Sequence, residues 1–126
     1  MNKEEVFTKV TNHLLKQQTK SIKKGDYGEC YYRTPDPESN LSCAIGCLIK
    51  DDHYSINLEH KGVQDKEVLK ALSLSLDTTI SEEEKHFLMK LQEVHDNDHV
   101  EDWRVCLSLL AKDYSLNVQT PLFNKE

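Results

Sequence analysis

The chain has 126 residues, of which 37% are hydrophobic and 30% charged, and its formal net charge is −6. This length fits a single domain over residues 1–126, and a folded chain of this mass buries about two thirds of its unfolded surface, enough for a core without disulfide bonds. No apolar run reaches the roughly 18 residues of a membrane span and the charged residues 1–5 are unlike a signal peptide, so we expect a cytoplasmic protein without a membrane segment.

The first predicted element is a helix over residues 2–24. Asn2 and Glu5 form the sequence pattern of a capping box, and Gly25 is placed to end the helix. Six lysines against two glutamates give residues 1–24 a charge of +4, which leaves −10 on the rest of the chain. Because no aromatic residue stands among the later lysines, we interpret them as a solvated helix face and expect no nucleic-acid partner.

An extended segment or hairpin is predicted near residues 28–34, where β-favouring aromatic residues follow Gly28 and precede a proline-containing loop. The next element is the uncharged stretch at residues 41–49, which we expect to be buried. Periodicity does not distinguish a strand from a helix here. Ser42 as an N-cap and the small residue Gly46 favour a short helix.

Two further helices are predicted after residue 60. One spans residues 65–76, with an inward face formed by Val68, Leu69, Leu72 and Leu76. The other begins after Ser81, which forms a second capping-box pattern with Glu84. It leads into the polar residues 95–99, which we expect to form a tight connection.

The last predicted helix is capped by Asp98, which pairs with Glu101 in a third capping-box pattern. Its apolar stripe is the most regular in the chain and consists of Val100, Trp103, Leu107, Leu110 and Tyr114. We expect residues 117–126 to form a flexible tail. Together, these elements predict a mainly α fold, which is a compact bundle of four to five helices with one short extended segment.

Three cysteines and a histidine form the most suggestive group for a metal site. On a helix, Cys43 and Cys47 would face the same side, Cys30 would come from the extended segment, and His95 would complete a tetrahedral zinc site. Structural zinc sites usually have two closely spaced ligand pairs, and one is missing here. Since free cysteines are often buried as small apolar side chains, we expect no cofactor and keep zinc as an alternative.

A second polar group surrounds His95. The sequence pairs His95 with Asp96 and Asp98 with His99, and imidazole beside carboxylate is the combination that orients a general base or a metal ligand. Because adjacent residues point apart on a backbone, we expect no direct contact between His95 and Asp96. His95 follows Leu91 by one helical turn, which places it at the end of a buried face.

Tyrosines cluster near the cysteines, either as the wall of a ligand pocket or as residues at the edge of the core with solvated hydroxyls. The candidate binding residues are Tyr31, Tyr32, Cys43, Tyr54, His95 and Asp96. No catalytic residues are indicated, because the chain has no glycine-rich phosphate loop, nucleophile elbow or paired-histidine metalloprotease motif.

Two motifs carry a resemblance to a known group of proteins. Residues 43–54 read C-A-I-G-x-L-I-x-D-x-x-Y and residues 91–96 read L-Q-x-x-H-D, with Trp103 and the pair Leu110-Ala111 following. In this order, over about residues 28–118, the chain resembles small proteins of tailed phages and prophages. The resemblance implies a small accessory protein in the cytoplasm of a bacterial host and supplies no reaction.

Three functions are consistent with the sequence. The first is binding, without catalysis, of a host protein or a small ligand. The second is metal binding, or a small metal-dependent hydrolase, with Cys30, Cys43, Cys47 and His95 as ligands. The third is a structural homo-oligomer that uses apolar residues left outside the helix stripes, namely Leu74, Leu109 and Phe123.

Overall fold

The computed structural model describes residues 1–22, 30–35 and 40–117. The described residues contain four α-helices, which confirms the mainly α fold: α1 (Lys3–Gln17), α2 (Lys66–Leu76), α3 (Glu82–Asn97) and α4 (Trp103–Asp113). Short 3₁₀ turns occupy Gly46–Leu48, Asp51–His53, Ile56–Leu58 and Val100–Asp102. Four of the predictions concern residues outside the described ranges. They are the helix stop at Gly25, the start of the extended segment at Gly28, the apolar residue Phe123 and the flexible tail from residue 118 onward.

Helix α1 is shorter than the sequence predicts. Asn2 caps it as expected, with its side chain accepting the Glu5 N–H at 3.0 Å. The helix ends at Gln17, because Gln18 takes a left-handed conformation (φ 53°) and donates its N–H to the Leu14 carbonyl. The prediction of a helix to residue 24 is therefore wrong, since the chain turns away seven residues earlier.

Helix α3 begins after Ser81 as its capping-box pattern predicts, and α2 begins within one residue of its predicted start. Asp65 accepts the N–H of Glu67 at the start of α2. At the start of α3, Ser81 and Glu84 form a complete capping box, in which each side chain accepts the backbone N–H of the other. Such a cap typically stabilises a helix by about 1 kcal/mol.

The connection to α4 differs from the prediction. Residues 95–97 belong to α3, and Asp98 ends that helix by donating its N–H to the Val94 carbonyl. The chain then makes a 3₁₀ turn, so that α4 begins at Trp103 without a side-chain cap. Asp98 therefore does not cap α4, because the extra turn places the helix start five residues further along the chain.

The extended parts of the chain meet in isolated bridges, and no strand forms among the described residues. Ile22 bridges Cys30, and Arg33 bridges Ser42. Residues 41–49 are not a continuous helix: they form this bridge and then the turn at Gly46–Leu48. Gly46 lies so close to the Tyr32 carbonyl that an added Cβ would overlap that oxygen.

The core lies where α1, α3 and α4 pack together and residues 43–49 cover one side. Its largest fully buried side chains are Trp103, Phe7, Phe87, Leu14, Ile45, Leu48, Leu72, Leu88, Leu91, Leu107, His95 and Val10. Leu74 and Leu109, both expected to be left outside the core, are 50% and 57% exposed. No helix among the described residues is long and apolar enough to cross a membrane.

Candidate functional site

His95 is the polar residue at the centre of the candidate site. It stands in the last turn of α3, is fully buried, and stacks on the Trp103 ring at 5.5 Å between centroids. Its Nδ1 lies 2.7 Å from Asp96 Oδ1, and its Nε2 accepts the Ser21 N–H at 2.9 Å. The expectation that His95 and Asp96 do not touch is therefore wrong, because the two side chains bend toward each other at the end of the helix.

These two contacts define the protonation of His95. A backbone N–H can only donate, so Nε2 must present its lone pair to Ser21. The ring proton is then on Nδ1, where it is donated to the Asp96 carboxylate. Both ring nitrogens are occupied, and the neutral imidazole joins the end of α3 to the segment that follows α1.

Asp96 is a half-buried carboxylate held in its charged form. Burial raises its pKa, but this effect is outweighed by hydrogen bonds from His95, Gln92 and Cys30, so the pKa lies below the ordinary value of 3.8. The Gln92 amide donates to Oδ1 at 2.9 Å. Lys20 donates to the backbone carbonyl of Asp96 at 3.2 Å.

Cys30 completes this group from the extended segment. Burial and the neighbouring Asp96 carboxylate, which accepts a hydrogen bond from the thiol, raise the pKa of Cys30 to about 12. The side chain is therefore a thiol at neutral pH. One donor atom each from Cys30, His95 and Asp96 lies within 4.8 Å of the other two.

The structure does not bring Cys43 and Cys47 into this group. The Cys43 sulfur is fully buried and accepts the Gly46 N–H at 3.2 Å, and burial raises its pKa. The Cys47 thiol donates to the Ala44 carbonyl at 3.1 Å, and burial raises its pKa to about 12. Two of the four predicted metal ligands, Cys30 and His95, thus lie together, while the other two bind the backbone of their own turn.

The tyrosines of the candidate set surround a carboxylate that the sequence did not single out. Glu59 is buried and accepts hydrogen bonds from the backbone N–H groups of Tyr32 at 2.8 Å and Arg33 at 3.1 Å. It also accepts the Tyr54 hydroxyl at 2.6 Å, and burial together with this contact raises the pKa of Tyr54. The Tyr32 hydroxyl donates to the Lys61 carbonyl at 2.6 Å. Both hydroxyls are therefore bonded to other atoms of the protein.

A small cavity opens beside Asp96. Its volume is about 100 Å³, and it is lined by Cys30, Tyr32, Gln92, Asp96 and residues 60–63. Tyr31 lies outside this lining, with its ring edge-on to His60 at 5.5 Å. We call this space the Asp96 cavity.

Sequence reasoning missed Ser21, Glu59 and Gln92 as parts of the site. Gln92 stands in the L-Q-x-x-H-D motif, one turn before Asp96, so helical spacing could have placed the two side chains on one face. Ser21 acts through its backbone and Glu59 follows directly on the 3₁₀ turn at Ile56–Leu58, so neither leaves a pattern in the sequence.

The fold and the site together define a mainly helical protein in which a buried histidine is paired with a half-buried aspartate beside a small cavity. No protein-family model matches the chain, and no curated protein or solved structure matches it at a significant level.

Proposed function

We propose that the protein acts by binding and not by catalysis, and that the Asp96 cavity receives a cationic group of its ligand. The observation that carries this proposal is a charged, half-buried carboxylate in the wall of a cavity of about 100 Å³. At about 30 Å³ per water molecule, the cavity has room for a few waters or one head group such as ammonium or guanidinium. Such a group would complement the buried charge of Asp96.

The protonation of the site argues against catalysis. A cysteine nucleophile needs a thiolate and a nearby base to form it. Here the Cys30 thiol donates to Asp96, and its pKa of about 12 keeps it protonated. His95 cannot serve as the base, because Nδ1 already carries a proton and the Nε2 lone pair already accepts a hydrogen bond from the Ser21 N–H.

The resemblance to small phage proteins suggests where the cationic group comes from. In the cytoplasm of a bacterial host, it would be a lysine or arginine side chain of a host protein, or a small amine. Both present the same chemistry to Asp96, which is positive charge together with N–H donors.

Titration of the protein with methylammonium and methylguanidinium chloride tests this proposal. We expect saturable amide shifts in two-dimensional NMR spectra at residues 30–32, 60–63 and 92–96, and none with neutral acetamide. Asp96→Asn should remove the response, whereas Asp52→Asn, at an exposed position, should retain it. Absence of saturation, or an unchanged response in Asp96→Asn, would contradict the proposal.

A second candidate function is the binding of a divalent metal ion, which the grouping of Cys30, His95 and Asp96 within 4.8 Å favours. Thiolate, imidazole and carboxylate are a donor set that suits zinc. Coordination at Nδ1 would require the ring proton to move to Nε2, where it would face the Ser21 N–H. Metal binding therefore requires the bond between Ser21 and His95 to break, which makes it the less favoured function.

Zinc chloride distinguishes the two functions. Metal binding would appear as one equivalent of tight binding, lost in Cys30→Ser, with a large shift of the Ser21 amide resonance as its bond to His95 breaks. If zinc causes no saturable change and the cationic probes do, the metal function is excluded and the cationic ligand is supported.

A further inference from the structure

A second cavity, which we call the basic groove, lies between α1 and residues 40–51. Its volume is about 490 Å³, and no residue in its lining also lines the Asp96 cavity. This volume falls within the range of about 300–1,000 Å³ that is typical of small-molecule sites. The groove is therefore a separate candidate site, large enough for a whole small molecule.

The charge of the basic groove is opposite to that of the protein. In the part of the chain that the structure describes, Lys9, Arg33 and Lys50 line it together with one carboxylate, Asp51, and these four side chains carry a charge of +2 in a chain of net charge −6. Among the described residues, neither the Lys9 nor the Lys50 ammonium forms a hydrogen bond or an ion pair. Both are therefore free to meet an anion.

Arg33 is fixed in the wall of the groove. One guanidinium nitrogen forms an ion pair with Asp51 at 2.7 Å, and another donates to the Ile49 carbonyl at 2.6 Å. The guanidinium carbon also lies 4.6 Å above the centre of the Tyr54 ring. Because these contacts hold the arginine in place, little side-chain entropy is left to lose when a ligand binds.

The remaining lining combines the turn at residues 46–49 with three polar side chains. His13 stands one turn after Lys9 on α1 and donates from Nε2 to the Ser42 carbonyl at 2.8 Å. The side chains of Asn40 and Ser42 add hydrogen-bonding groups. Within the described part of the chain, His13 is the only aromatic ring in the lining, so the groove offers hydroxyl recognition in preference to a stacking platform for a nucleobase.

We propose that the basic groove binds a small phosphorylated polyol or sugar. A phosphate monoester carries a charge of about −1.5 to −2 at pH 7, which matches the local charge of +2. Lys9 and Lys50 would bind the phosphate oxygens through charge-assisted hydrogen bonds. Asn40 and Ser42 would bind the hydroxyl groups of the organic part.

Calorimetric and NMR titrations with glucose 6-phosphate test this proposal, with glucose and inorganic phosphate as comparison ligands. We expect saturable binding with amide shifts at residues 9–13 and 40–51, and weaker binding of both comparison ligands. The double variant Lys9→Gln, Lys50→Gln should lose at least about tenfold in affinity, the loss expected for one or two charge-assisted contacts. Both lysines are exposed, so circular dichroism should show an unchanged fold.

The matched control is the double variant Lys66→Gln, Lys112→Gln, which removes the same charge at exposed positions outside the groove. It should change affinity by less than about twofold, because exposed charges outside the groove are screened by salt. Three results would overturn the proposal: no saturation by about 10 mM ligand, equal binding of glucose or inorganic phosphate, or equal losses in the two double variants.

Discussion

Replacing His95 by leucine tests the link between α3 and the segment after α1. Leucine is close to histidine in size but provides neither a donor for Asp96 nor an acceptor for the Ser21 N–H. A buried donor left without a partner costs about 1–3 kcal/mol, and the lost donor to the partly exposed carboxylate costs about 1–2 kcal/mol more. We therefore expect His95→Leu to lower the free energy of unfolding by about 2–5 kcal/mol.

Urea unfolding followed by circular dichroism measures this loss. His86→Leu is the matched control, because His86 is exposed on the same helix and should change stability by less than about 0.5 kcal/mol. Asp96→Ala combined with His95→Leu should cost less than the sum of the two single variants, with a coupling of about 0.5–3 kcal/mol. A cost below about 0.5 kcal/mol for His95→Leu, or strict additivity, would refute the argument that the two ring nitrogens stabilise the fold.

Gly46→Ala should destabilise the protein by about 1–3 kcal/mol, because its Cβ would overlap the Tyr32 carbonyl oxygen. The control Gly62→Ala meets only the flexible Gln64 side chain and should cost far less. Thermal unfolding of both variants measures the difference. Leu107→Ala should cost about 2–5 kcal/mol in urea unfolding, because Leu107 is fully buried, and a cost under about 0.5 kcal/mol would mean that the buried face of α4 is assigned wrongly. The lowered pKa of Asp96 predicts stability that is complete above its ordinary value of 3.8 and is lost as the pH falls below 3.8 through the folded-state pKa. Urea unfolding from about pH 7 to about pH 3 should therefore show a smaller acid-induced loss in Asp96→Asn than in the unmodified protein, and identical profiles would contradict the assignment.

Local signals in the sequence predicted most of the helical architecture. The caps at Asn2 and Ser81 start helices in the structure as expected, because each needs only hydrogen bonds within one turn. The stripe of α4 was equally readable, and Trp103 and Leu107 are fully buried. A residue whose role depends on its own turn can be predicted from its neighbours.

Helix ends that depend on distant residues could not be predicted in this way. The apolar pattern of α1 continues to Ile22, but the chain leaves the helix at Gln18. The Ser21 N–H, which a longer helix would have bonded to the Gln17 carbonyl, is bonded instead to His95, 74 residues away. Tertiary contacts of this kind override local propensity.

The candidate site was predicted only in part, because some of its contacts also join residues that are distant in the sequence. Cys30, His95 and Asp96 were named from their chemistry, and the structure brings them together. Glu59 was not named, because a single glutamate among polar residues gives no sign that it is buried. Its role depends on the close approach of the backbone at Tyr32 and Arg33, which no sequence period encodes.

The bond from the Ser21 amide to His95 also has a consequence for the order in which the chain assembles. Most helical amides find their partners four residues away and are protected as soon as their own helix forms. The Ser21 amide gains its partner only when the last turn of α3 is folded and docked against Trp103. The hydrogen exchange rate of the Ser21 amide therefore reports the opening of the contact between α3 and Trp103, and not the opening of α1. The amide resonance of Ser21 alone can thus be used to follow the docking of α3 during folding.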